Sequence, residues 1–160
     1  SFRLSAVDGQ GGKWGFSESV ILARELEHRG VDILDVSSGG ISGDTDMPSV
    51  PRIPGYHIGF NERLKKELNT LVMAFGLITE PTQAQGILEA SKADLIAMSR
   101  ELMYNCDWPV HAAKALGIEN YLSIFPEPYA FRLNKREKDK TLEINEPISA
   151  GATLNKLYKS

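Results

Sequence analysis

The chain has a single cysteine, Cys106, so no disulfide bond within the chain contributes to its stability. This composition is typical of proteins that work in a reducing, cytoplasmic setting, and we predict that location. The sequence also has no apolar run of membrane-spanning length and no visible signal peptide. We therefore predict no membrane partner.

The sequence also has few clusters of Lys and Arg. The formal net charge is -3, and Lys and Arg form no run before the C-terminal residues, which argues against a nucleic-acid partner. No group of His, Cys or carboxylate residues has the spacing of metal ligands, so we predict no metal. The Gly-rich segment 7–15 lacks the Lys-Ser/Thr ending of a nucleotide-binding P-loop.

What the sequence does contain is a strand–helix alternation repeated four times. We expect Ser17 to cap the first helix and Asn61 to cap the second. This order predicts an α/β fold, either an open doubly wound sheet or a TIM-type (β/α)8 barrel, of which four units are half. The predicted strands cover residues 2–6, 31–37, 71–78 and 94–99.

The composition changes at residue 134, where a segment dense in charge begins and continues into small polar residues. We therefore predict two parts. Residues 1–133 form the α/β domain, and residues 134–160 form an appended arm or a partly disordered tail.

The ends of the last two strands indicate a phosphate pocket. Gly76 follows one strand and permits a close approach to the backbone, whereas Ser99 and Arg100 follow the next strand. Ligands of parallel sheets bind outside the carboxyl ends of strands, and Arg presents a fixed fork of donors to an oxyanion. In (β/α)8 barrels a phosphate site is frequently built from the loops after the last two strands.

Five motifs, in this order and spacing, resemble the C-terminal half of Old Yellow Enzyme-type flavin oxidoreductases. They are FRLSA, DVSSGG, PGYH, FGLIT and ADLIAMSREL, and the resemblance covers residues 2–133. It is closer to the bacterial branch that reduces activated alkenes with NADPH. The resemblance implies an FMN-binding (β/α)8 barrel, of which this chain supplies strands five to eight.

Carried over position by position, the resemblance implies a set of cofactor contacts. Arg3 matches the residue at the flavin pyrimidine edge, and Ser37 matches a position that lines the FMN. The two phosphate loops match Gly76-Leu77 and Ser99-Arg100, where the family usually has Gly-Arg in place of Ser-Arg. Tyr56 and His57 match the loop that lines the mouth of the pocket and are weaker candidates for substrate contacts.

No catalytic residue is expected in this chain. By the resemblance, the substrate-binding His pair and the proton-donating Tyr belong to an N-terminal half. We therefore expect the isolated chain to be inactive and to need that half, a longer parent chain, or a homo- or hetero-oligomeric partner. The implied cofactors are FMN with NADPH or NADH, and the implied substrate is an α,β-unsaturated carbonyl. Two alternatives are a non-catalytic half-barrel that binds FMN or phosphate, and a phosphosugar-processing barrel.

Simpler roles for the same residues remain open. Arg3 can pair with Asp35 inside the sheet, and Arg100 can pair with Glu101 or Asp107 at the surface. Ser37 can satisfy backbone groups at its strand end. Gly76, finally, can be a packing glycine without a ligand.

Overall fold

Four parallel strands form one sheet in the order β1-β2-β3-β4, which is also their order along the chain. The computed structural model describes residues 1–39, 42 and 51–140. Sequential parallel strands need a crossover between each pair, and helices supply it here. The strands are β1 (Phe2–Ser5), β2 (Ile33–Ser37), β3 (Leu71–Ala74) and β4 (Leu95–Ile96).

Each strand is followed by helix, as the sequence predicts. The first unit, residues 1–118, contains α1 (Phe16–His28), α2 (Ile58–Glu67), α3 (Pro81–Glu89), α4 (Arg100–Tyr104) and α5 (Trp108–Ala115). Two of these helices are followed within two residues by a glycine of positive φ, Gly30 at +81° and Gly117 at +76°, and a glycine in this place commonly ends a helix.

Helices cover one face of the sheet. Alternate strand residues, including Leu4, Leu34 and Val72, are buried in one apolar cluster with Ala23 of α1 and Leu64 of α2. A second cluster joins the end of β3 to α3 and the β4 region. The period of two along each strand therefore places every second side chain against the helices.

The opposite face of the sheet is more open. One cross-strand row on this face consists of Arg3, Asp35, Met73 and Leu95, which are paired in register from β1 to β4. Leu71, two residues before Met73, is 45% exposed. Helices on one face and an open second face are consistent with part of a (β/α)8 barrel, in which the second face would line the interior.

The first two helices begin earlier than predicted. Gly15, not Ser17, occupies the N-cap of α1, because the Glu18 carboxylate accepts a hydrogen bond from the Gly15 N–H at 3.0 Å. Asn61 does not cap α2, which begins at Ile58. The Asn61 side chain is instead buried, and its amide donates to the Met73 carbonyl at 3.0 Å. At α1 a local bond between Gly15 and Glu18 sets the start of the helix. At α2 a contact with β3 engages the Asn61 side chain, which therefore does not act as a cap.

The second unit, which begins at residue 119, contains a 3-10 helix (Tyr121–Ile124) and α6 (Glu127–Lys140). Residue 134 lies within α6, so the change in composition does not coincide with the end of a helix. Residues 141–160 of the predicted tail lie outside the described residues. Within the part of the chain that the structure describes, no helix is both long and apolar enough to cross a membrane.

Candidate phosphate-binding site

A cavity of about 210 Å³ lies between the loops that follow β3 and β4. Leu77, Ser99 and Arg100, three of the residues predicted to bind phosphate, line it together. The parallel arrangement explains this placement, because neighbouring strands that point the same way end at the same edge of the sheet. The described residues that line it are Phe75, Leu77, Ile78, Thr79, Ala97, Met98, Ser99, Arg100 and Glu101.

The turn after β3 has an unusual backbone. Gly76 has a φ of +122° and Leu77, although not a glycine, has a φ of +50°. A Cβ atom at Gly76 would lie 3.1 Å from the Tyr56 ring and 3.2 Å from Nδ1 of His57. Gly76 is therefore needed for its conformation and for close packing against these two rings, and the exposed Leu77 next to it lines the cavity.

Arg100 is exposed at the cavity and forms no ion pair among the residues that the structure describes. The alternative pairings with Glu101 and Asp107 are not formed. An arginine without an internal acid keeps its five N–H donors available for an anion. Ser99, also exposed, precedes it at the N-cap of α4.

Arg3 lies apart from the cavity lining but is connected to it through Phe75. The Arg3 guanidinium donates to Asp35 at 3.1 Å and to the Ser37 hydroxyl at 3.1 Å. The guanidinium carbon also lies 4.7 Å from the centre of the Phe75 ring, and Phe75 lines the cavity. The predicted Arg3–Asp35 pair is thus formed, and it holds the cation over the aromatic ring at the end of β3.

Tyr56 and His57 lie behind the phosphate turn and not in the cavity lining. His57 is 1% exposed, and its Nε2 atom is 2.7 Å from the Ser38 hydroxyl. Burial lowers the pKa of His57 from 6.5 to about 4, the nearby Phe75 carbonyl raises it somewhat, and the Arg3 charge lowers it. The ring is therefore uncharged at neutral pH. A substrate contact through Tyr56 or His57 stays a prediction.

The sequence reasoning missed three contributors to this region. Phe75 joins the Arg3 pair to the cavity, and Ser38 is the hydrogen-bond partner of His57. Trp108 donates its ring N–H to the Thr79 carbonyl at 2.8 Å and so supports the cavity wall. An aromatic residue directly after an apolar strand was the available signal for Phe75, whereas the contact of Trp108 spans 29 residues and has no local signal.

The cavity suits one end of an FMN molecule. Its volume is below the range of about 300–1,000 Å³ that holds a whole drug-sized ligand. Its lining combines apolar side chains with the hydroxyl groups of Thr79 and Ser99, the acid Glu101, and Arg100, which has no ion-pair partner among the described residues. A phosphate group beside Arg100 would fit this chemistry. In the part of the chain that the structure describes, no cluster of His, Cys, Asp or Glu has the arrangement of a metal site.

Comparison with known proteins identifies the family of the chain. Residues 1–119 match the sequence profile of the FMN oxidoreductases described as the NADH:flavin oxidoreductase / NADH oxidase family. An NADPH dehydrogenase of Geobacillus sp. (strain WCH70) is 40% identical over 116 residues, which are 72% of this chain and 33% of that protein. An NADPH dehydrogenase of Halalkalibacterium halodurans is 38% identical over 116 residues, with the same shares of the two chains.

A relative from Clostridium acetobutylicum, also an NADPH dehydrogenase, is 31% identical over 132 residues, 82% of this chain and 37% of that protein. The chain thus spans about a third of the length of these relatives. Family and relatives together imply FMN and NADPH or NADH as cofactors. The matched region includes all four strands and the whole cavity, and the chain belongs to the NADH:flavin oxidoreductase / NADH oxidase family.

Proposed function

We propose that this chain supplies the FMN phosphate-binding part of an NAD(P)H-dependent oxidoreductase that reduces the C=C bond of α,β-unsaturated carbonyls. The observation that carries the proposal is the cavity between the Leu77 turn and Ser99-Arg100. These residues come from two strand ends that are more than 20 positions apart in sequence. Their convergence on one cavity, with an unpaired arginine among the described residues, supports an anion as the ligand.

The chain's own residues have two roles in this proposal. Arg100 would bind the phosphate, and Arg3, held by Asp35 and Ser37, would supply a fixed positive charge to the flavin. A fixed cation there stabilises negative charge that develops on the ring during reduction. When bound, FMN supplies hydride transfer from the nicotinamide to the β-carbon of the enone, while a proton adds to the α-carbon and the double bond becomes single.

The remaining chemistry is assigned to other residues. We propose that the substrate-binding His pair and the proton-donating Tyr come from an N-terminal half-barrel, on a longer parent chain or a partner. The open face of the sheet supports this, because covering its exposed apolar residues, such as Leu71 and Leu95, would stabilise the folded protein. Without that half we expect no enone reduction. We further propose a cytoplasmic location, in keeping with the single cysteine.

The open face favours a second candidate function for the chain by itself. A half-barrel that binds FMN or phosphate without catalysis would have the same cavity and the same exposed Leu71 and Leu95. One experiment distinguishes the two functions. Mixing the chain with its N-terminal half, FMN, NADPH and cyclohexenone yields the saturated ketone only if the chain is part of an enzyme.

The replacement Arg100→Ala tests the phosphate site directly. We expect it to weaken FMN binding by about 10- to 100-fold, because a charged hydrogen-bond donor contributes about 1.5–3 kcal/mol. Flavin absorption that remains with the protein after mixing and desalting gives the first readout, and quenching of flavin fluorescence gives the dissociation constant.

Arg29→Ala is the matched control. It removes an arginine of α1 that pairs with Glu25 at the surface, away from the cavity. Equal losses of FMN affinity in Arg100→Ala and Arg29→Ala would contradict the assigned site. A wild-type chain that retains no flavin would overturn FMN binding by this chain alone.

A further inference from the structure

A short segment around the start of α2 holds the end of β3 at several points. The Gly55 N–H donates to the Gly76 carbonyl at 2.8 Å, and the Asn61 side chain donates to the Met73 carbonyl at 3.0 Å. These two carbonyls lie on either side of Phe75. The last part of β3 and the start of the turn that enters the cavity are therefore both attached to one segment, residues 55–61.

His57 occupies the centre of that segment. Its ring stacks on Phe75, with 5.3 Å between centroids and 23° between planes, and lies 4.1 Å from the Tyr56 ring centroid. Its Nε2 atom contacts the Ser38 hydroxyl at 2.7 Å, so the ring also joins the turn to the end of β2. One side chain thus connects the ends of two neighbouring strands.

The Tyr56 and His57 rings pack closely behind the turn. A Cβ at Gly76 would lie 3.1–3.2 Å from these two rings, so they would have to shift by a few tenths of an ångström to accept it. Packed interiors respond to small volume changes by moving neighbouring groups. A change in the His57 ring therefore transmits directly to the backbone of Gly76 and Leu77.

The surroundings of the His57 ring also restrict its protonation. Nδ1 is buried and makes no hydrogen bond with normal geometry among the described residues, so a proton added to His57 would be poorly solvated. The charged groups on this side are Arg3 of β1, which acts on the ring, and Asp35 of β2, which pairs with Arg3. Tyr56 is the titratable neighbour on the segment itself.

We infer that His57 is the positioning residue of the phosphate-binding turn: its ring, held by Ser38 and stacked on Phe75, sets the backbone of Gly76 and Leu77. The inference rests on the proposed function and gives His57 a part in it without contact to the phosphate. It replaces a substrate contact at the mouth of the pocket with a role behind the turn.

Three variants of the full chain test the inference. His57→Gln keeps an uncharged group that can bond to Ser38, His57→Phe keeps the stacking but loses that bond, and Ser38→Ala removes the bond from the other side. Leu26→Ala is the control, because it loses core packing in the cluster on α1, away from the turn. The readouts are the amide resonances of Gly76 and Leu77 without ligand, the dissociation constant for FMN, and the melting temperature.

We expect His57→Phe and Ser38→Ala to shift both amide resonances and weaken FMN binding by about tenfold, the effect of one lost hydrogen bond. His57→Gln, which keeps the bond to Ser38 but loses the stacking, should lie between His57→Phe and wild type in both the resonances and the affinity. Leu26→Ala should lower the melting temperature while FMN affinity stays within about twofold of wild type, since distant sites act independently.

A separate titration of the wild-type chain from pH 7 to pH 3, which passes the His57 pKa of about 4, covers the case in which a variant does not fold. The ring resonance of His57 and the amides of Gly76 and Leu77 should move together with one midpoint. Amides that stay fixed while the ring titrates, or an FMN affinity that follows only the melting temperature, would overturn the inference. A wild-type chain that fails to bind FMN contradicts the proposed function, whereas the amide resonances still decide the role of His57.

Discussion

At the scale of single residues, Gly76 is a glycine that is required for two separate reasons. Its φ of +122° lies where side chains are strongly disfavoured, and the Tyr56 and His57 rings occupy the place of a Cβ. The sequence suggested close approach by a ligand or simple packing as its role. The structure shows close packing against the protein's own rings, while Leu77 beside it faces the cavity.

We expect Gly76→Ala to lower the free energy of unfolding by about 1–3 kcal/mol, because backbone strain and a steric contact add at one position. Gly86→Ala is a matched control on α3, where a Cβ meets nothing within 4 Å. That change should stabilise the helix by about 0.5–1 kcal/mol. Urea unfolding of both variants measures the difference, and equal stabilities would show that the turn accepts a side chain.

The residue scale also shows where sequence reasoning succeeds. The positions of Leu77, Ser99 and Arg100 follow from strand ends, and the structure brings all three to one cavity. The pairing of Arg3 with Asp35 was one of two alternatives and is formed. The surroundings of His57 were not predictable, because Ser38 and Phe75 reach its ring from positions 19 and 18 residues away.

At the scale of elements, Asp94 links three parts of the sheet layer. Its carboxylate accepts hydrogen bonds from Lys65 of α2 and from the Val72 N–H of β3, and it directly precedes β4. Burial raises the pKa of Asp94, but the bonds from Lys65 and Val72 outweigh this effect and hold the pKa below its ordinary value. The acid therefore stabilises the fold in its ionised form.

Replacing Asp94 by Asn should destabilise the chain by about 1–3 kcal/mol at pH 7, because Lys65 loses its partner in a largely covered site. A pKa that is lower in the folded state gives stability above the unfolded-state value, and this stability is lost as the pH falls through the folded-state pKa. The difference between variant and wild type should therefore shrink in acid. Urea unfolding at several pH values measures it.

Glu62→Gln is the corresponding control, because the Glu62–Lys66 pair lies in an exposed position on α2. Exposed pairs contribute about 0–1 kcal/mol. A loss in Glu62→Gln as large as in Asp94→Asn would mean that the effect is one of net charge and not of the link between α2, β3 and β4.

At the scale of the whole molecule, two observations are in agreement. One face of the sheet is open, and the chain spans only part of the length of its relatives. Leu71 and Leu95 are 45% and 36% exposed on that face, whereas residues of the opposite face such as Leu34 and Val72 are fully buried. Apolar residues left on an open sheet face and strands without neighbours both favour association. This is the physical basis for expecting a partner.

We therefore expect the purified chain to self-associate when its N-terminal half is absent, and the double replacement Leu71→Lys with Leu95→Lys to reduce that association. Multi-angle light scattering over a range of concentrations gives the mass. Ile21→Lys is the control, because it adds a charge at a 69% exposed position of α1. A monodisperse wild-type monomer with a cooperative thermal transition would contradict the expectation.

Local patterns in the sequence were sufficient to determine the alternation of strands and helices, the helix ends at Gly30 and Gly117, and the strand ends that bear the phosphate residues. Each of these depends on neighbouring residues, whose conformational preferences are written in the sequence. Only the tertiary structure decided the start of α2, the burial of Asn61 and His57, and the placement of Phe75 between Arg3 and the cavity. These features depend on contacts between residues far apart in the chain, which form only when the parallel strands are in register.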